Sequence, residues 1–198
     1  GVVVGVVAAV NHGKWVDSVL MTISVFGISA PAFWIAIILQ IVICLKFNLL
    51  PLSGIDSFKS FILPGIALGT RYAASIARIT RTSMLDVLSQ DYIRTAEAKG
   101  LKGWVVTIKH ALRNALIPII TIAGSDLGNI LTGSVLVESV FSIPGIGKML
   151  VDSINTRDLP IVQGGVMYIA VICVIMYLVV DLLYTVVDPR IRLGKESS

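Results

Sequence analysis

Charge is scarce in this chain. Only 14% of its 198 residues are Asp, Glu, Lys or Arg, against about 25% in a soluble globular domain. There is no charged residue from Ser18 to Leu45, and none from Leu159 to Val180. A soluble core does not hold two such runs, each longer than the ~20 residues that span a ~30 Å hydrocarbon layer. Thiols and imidazoles are scarce too. Cys44 and Cys173 lie far apart inside apolar runs, so neither a disulfide framework nor a Cys-x-x-Cys site is expected. His12 and His110 lack ligand spacing, and no metal site is expected from them. The signatures His-Glu-x-x-His, Gly-x-Ser-x-Gly and Gly-x-x-x-x-Gly-Lys-Ser/Thr do not occur. An intramembrane protease would want a nucleophile or metal signature, and ATP binding would want the phosphate loop. No cofactor is expected on this chain.

What the sequence has in abundance is apolar surface, at 56% hydrophobic residues. The opening GVVVGVVAAV reads as mid-helix with no signal-peptide n-region, so the chain is expected to be a piece of a longer protein. Hydrophobic patterning places about five membrane segments: 1–10, 19–45, 62–85, 117–138 and 162–187. Pro64 suits a first helical turn and Pro189 forbids continuation of the last helix. The connections are then 11–18, 46–61, 86–116 and 139–161. Lys14, Arg94, Lys99, Lys102, Lys109, Arg113, Arg190, Arg192 and Lys195 fall on one side, with Arg78 and Arg81 at the adjoining helix end. The other side holds only Lys46, Lys59, Lys148 and Arg157. Basic excess marks the cytoplasmic side. The loop 86–116 and the C-terminus are therefore expected inside, and the net charge of +4 is explained by topology, without nucleic acid.

The long loop reads as helix, glycine, helix. Ser89 is placed to cap the first helix, and Arg94 and Glu97 are spaced i,i+3 for mutual support. Gly100 suits the position just past a helix end, where positive φ is cheap. Thr95, Ala96 and Ala98 are small, which lets another surface approach closely. After Gly103, the residues Trp104, Ile108, Ala111 and Ala115 form one apolar stripe. Periodicity alone leaves open a loop that packs on its own bundle.

These residues carry a resemblance. The segments DYIRTAEAKGL, HALRNALIP, VESVFSIPGIGKML, DLPIVQGG and DLLYTVVDPR resemble, in that order, the peptide/nickel branch of ABC-importer permeases, in particular the B-type subunit. The family's coupling loop has the pattern E-A-A-x-x-x-G. Here Arg94 stands at the Glu position, Thr95 and Ala96 at the Ala positions, and Gly100 at the Gly. No role is carried from the pattern's glutamate to Glu97. The resemblance implies an all-α integral membrane protein with the type I importer fold, this fragment lacking part of a six-span subunit. It implies that Tyr92, Arg94, Thr95, Ala96, Glu97, Ala98, Lys99, Gly100 and Leu101 couple to an ATPase. It implies a heterodimeric pore with a second permease subunit, two ATPase subunits that hold ATP and Mg, and an extracytoplasmic binding protein. The transported solute would be a peptide, or alternatively a nickel chelate or another small solute. A self-contained channel or secondary transporter usually has no helical handle of this kind.

Three charges fall inside the expected spans. At 1.5 Å per residue, Arg71 lies ~18 Å past Lys59, Asp126 ~12 Å beyond Pro118, and Asp181 ~10 Å before Asp188. These depths are compatible with an ion pair of Arg71 to Asp126 or to Asp181, or with direct solute contact. Gly65 and Gly69, and Gly124 and Gly128, are spaced for close helix contact. Gly124, Gly128 and Gly133 with Ser125 and Thr132 make a small polar stripe, suited to packing or to lining a pore. In the segment 139–161, Pro144 and Gly145 read as a turn and residues 147–154 as a short helix. Pro144, Gly145, Gly147 and Lys148 are expected to face the binding protein; a surface helix lying on the membrane is the alternative.

Overall fold

A computed structural model describes residues 1–131 and 134–187. The expected features at Thr132, Gly133, Asp188, Pro189, Arg190, Arg192 and Lys195 lie outside the described residues. Every regular element described is helical.

Helix α1 spans Val2–Val10 and is closed by Asn11, whose side-chain amide donates to the Val7 carbonyl. Gly13 takes φ +75° in the turn that follows, and α2 runs over Trp15–Ser29. Pro31 disfavours helical backbone at Ala30. The helix stops there, the chain bends sharply, and α3 restarts at Ala32–Leu39. It continues as a π-helical stretch, Gln40–Lys46. After a 3₁₀ turn at Phe58–Phe61, α4 covers Ile62–Leu88. The remaining helices are α5 (Asp91–Ala98), α6 (Gly103–Val105), a π-helical stretch (Val106–Leu112), α7 (Arg113–Leu131), α8 (Val135–Val140), α9 (Ile146–Asn155) and α10 (Leu159–Val187).

Two helical runs are long and apolar enough to cross a membrane, Gly103–Ile130 and Leu159–Leu182. The bent pair Trp15–Ser29 and Ala32–Lys46 makes a third if it is one span. The expected segment 19–45 is thus broken in the middle. The expected segment 117–138 begins far earlier, at Gly103, and its helix ends at Leu131. The other two expected spans are helical but do not qualify by length and composition. Helix α1 has nine residues, and α4 interrupts its apolar run with Arg71, Arg78 and Arg81.

The chain divides into two compact units. One comprises Gly1–Val25, Ala73–Ser125 and the residues from Tyr177 on. Its core joins Ala9, Met84, Ile93, Ala96, Val106, Ala111, Ala115 and Ile119. The other comprises Phe26–Tyr72 and Asp126–Met176, around Ala36, Cys44, Leu63, Ala67, Val137 and Phe141. In this second unit the Gln40 side chain donates to the carbonyls of Leu52 and Val140, at 2.8 and 3.0 Å. The loop after the π-helical stretch is thereby tied to α8.

Candidate functional site

The segment 91–101 is an amphipathic helix closed by a glycine. Asp91 sits in its first turn, where a carboxylate favours the helix N-terminus. The capping position is Gln90, with extended backbone, rather than Ser89; the Ser89 hydroxyl donates to the Asp86 carbonyl instead, at 2.8 Å. Arg94 lies 3.9 Å from Asp91, one turn back, and not against Glu97. Gly100 has φ +77° with open space around it, so backbone conformation is what calls for glycine there. Its N–H donates to the Glu97 carbonyl at 2.8 Å, closing the helix end.

The two faces of α5 differ. Ile93 and Ala96 are buried, three residues apart, beside Met84 of α4. Ala96, expected near a surface that another protein approaches, is buried, and its small side chain fits α5 onto its own bundle. Tyr92, Arg94, Thr95, Glu97, Ala98, Lys99 and Leu101 are exposed. The apolar stripe expected after Gly103 is also divided. Ala111 and Ala115 are buried, whereas Trp104 and Ile108 are exposed. The reason is the wider i→i+5 winding of Val106–Leu112, which turns later residues away from the face that ordinary helical spacing predicts. Trp104 and Ile108 instead line a groove of ≈ 640 Å³ with Val10, Leu88 and Glu97.

The second surface is built by α8 and α9. Pro144 is exposed and Lys148 partly so, and both line a groove of ≈ 620 Å³ with Asp152, Thr156 and Asp158. Gly145 is half-buried and lines the same groove, whereas Gly147 is buried. The Glu138 carboxylate is folded against both, and its Oε2 accepts the Lys148 N–H at 2.7 Å. A Cβ on Gly145 would overlap that carboxylate, and one on Gly147 would lie 2.9 Å from Val135 and 3.1 Å from Glu138. These glycines leave room for a carboxylate at the N-terminal end of α9, where the helix dipole favours it. Glu138 was not singled out in the sequence. The signal was an acidic residue shortly before a Pro-Gly helix start.

Residues 1–193 match the family described as binding-protein-dependent transport system inner membrane component. The chain belongs to that family. It is 45% identical over 192 residues to the glutathione transport system permease protein GsiC of Escherichia coli strain K12, and equally to those of Salmonella typhi and Shigella dysenteriae serotype 1. The match covers 97% of this chain and 63% of each relative, so the chain spans under two thirds of their length.

Within this inner-membrane component, the expected intramembrane charges fall in both units, Arg71 and Asp126 in the second and Asp181 in the first. Arg71 is exposed on α4. Asp126, on α7, is half-buried, and its Oδ2 is enclosed with no hydrogen-bond partner. Among the described residues, no ion pair within 4 Å joins Arg71 to Asp126. Asp181 is exposed on α10, in the other compact unit. The glycines also separate: Gly124 packs directly against the Val180 side chain, whereas Gly65 and Gly69 meet open space.

A charge pair that the sequence pattern left unremarked lies beside the core of the first unit. Arg81 of α4 donates from Nε to Asp17 Oδ1 at 2.6 Å and from Nη2 to Oδ2 at 2.7 Å. Asp17 is buried, with its side chain 6% exposed, and that of Arg81 is 23% exposed. The Gly13 N–H and His12 Nδ1 both approach Oδ2 at 3.2 Å. The available signal was that Asp17 immediately precedes the uncharged run from Ser18. A charge at that edge needs a partner.

Proposed function

We propose that this chain is a membrane-spanning permease subunit of an ATP-driven importer, forming half of a translocation pathway for short peptides of the glutathione type. The supporting observation is the form of α5. Its buried side, Ile93 and Ala96, is rooted in the core, and its exposed side ends at the Gly100 turn. A short helix held firmly on one face and free on the other transmits force from a docked partner. That partner is an ATPase subunit, and ATP is hydrolysed there. The peptide class is supported by the names of the similar glutathione permeases. The groove beside Pro144 and Lys148 receives an extracytoplasmic binding protein, and a second permease subunit completes the pathway.

The test is orientation together with proximity. In the full-length protein lacking Cys44 and Cys173, single cysteines replace Ala98 and Lys148. A membrane-impermeant thiol reagent, given to cells with an opened outer envelope, labels position 148 and spares position 98. A short bifunctional reagent in inverted vesicles joins position 98 to an ATPase subunit. Labelling of position 98 from outside, or no such adduct, refutes the reading.

A further inference from the structure

We propose that Arg81 and Asp17 are positioning residues for α5: their ion pair sets the end of α4 that contributes Met84 to the core holding α5. The inference rests on the docking role given above to that helix. The pair is bidentate, with two guanidinium nitrogens meeting two carboxylate oxygens at 2.6 and 2.7 Å. A planar fork of this kind fixes orientation as well as distance. Asp17 lies in the first turn of α2, and Gly13, at φ +75°, turns its N–H to the same carboxylate. The α1–α2 turn and α4 are thus held through one carboxylate.

The consequence follows along α4. Met84 is three residues beyond Arg81, so the two share a helix face. Met84 is fully buried in the cluster that holds Ile93 and Ala96, and Leu85 and Leu88 pack against the same cluster. On the preceding turn, Ala77 and Thr80 lie so close to Gly5 of α1 that a Cβ there would collide with both. Helix α4 is therefore gripped by α1 through close packing and by α2 through charge, immediately before it contributes Met84 to the core that holds α5. A buried ion pair adds little net stability compared with an apolar pair, but breaking one half is costly. Its effect is to specify one rotation and one height of α4.

The experiment uses the full-length protein in its assembled complex and follows amide hydrogen exchange. Arg81→Ala, and Arg81→Lys, which keeps the charge without the fork, are each expected to raise exchange over residues 91–99 about tenfold. Exchange over α9 stays unchanged. Unchanged exchange at 91–99 in both single variants overturns the proposal, as does equal loosening of α9. Should Arg81→Ala not assemble, Arg81→Lys and Asp17→Asn decide. If exchange changes as stated while the parent chain gives no adduct from position 98 to an ATPase, the positioning role stands and the docking reading falls.

Discussion

Glu138 and Gly145 should be coupled, because one exists to make room for the other. Replacing Glu138 by Ala removes the acceptor of the Lys148 N–H. A hydrogen bond to a charged group contributes about 1.5–3 kcal/mol, and a carboxylate at a helix N-terminus about 0.3–1 kcal/mol more. The expected loss is about 2–4 kcal/mol, lowering the apparent unfolding midpoint of the full-length protein in detergent by roughly 5–10 °C. Gly145→Ala places a methyl group where the carboxylate lies, so it also expels Glu138 and costs a similar amount. The double variant has already lost the side chain that the new methyl would displace. Its cost should be close to that of Glu138→Ala alone, falling short of the sum of the singles by at least about 1 kcal/mol. Glu138→Gln keeps one carbonyl acceptor and should lose about half as much. Thermal unfolding of the four variants measures this cycle. Simple additivity of Glu138→Ala and Gly145→Ala would refute the idea that the glycine is there to admit the carboxylate.

Four further outcomes are expected. Ala96→Glu buries a charge beside Met84 and Ile93 and should cost upwards of about 3 kcal/mol, seen as loss of folded protein in detergent. Ala98→Glu, on the exposed side of α5, should leave the unfolding midpoint within about 2 °C while reducing ATPase co-purification. Gly124→Leu should destabilise by about 1–3 kcal/mol through overlap with Val180. Gly69→Ala meets open space and should be neutral or stabilising by up to about 1 kcal/mol in helix propensity, measured by the same unfolding assay.

Local order along the chain was legible before any coordinates. Uncharged runs, prolines and glycines are short-range signals, and they identified a helical membrane protein. They also marked the turn at Gly100 and the short helix after Gly145. The small-residue motif around Ala96 was legible as a motif, but which way it faced was not. Identical spacing serves a side chain turned to a partner and one turned to its own core. Helix spacing likewise misjudged Trp104 and Ile108, because π-helical winding changes which residues share a face and has no simple residue signature.

The sequence by itself determined the helical class and the apolar stretches, since each depends on neighbours within a few residues, but not the break before α3 or the start of the later span at Gly103. Only the tertiary structure decided what those helices meet. Asp17 and Arg81 are 64 positions apart, and nothing in either neighbourhood encodes the distance between them. Gly145 and Gly124 look alike in sequence as small residues, yet one admits a carboxylate and the other an isopropyl group. Gly69 admits neither. Such roles follow from the packing of surfaces that the chain brings together only on folding, where a single methyl group is enough to decide the fit.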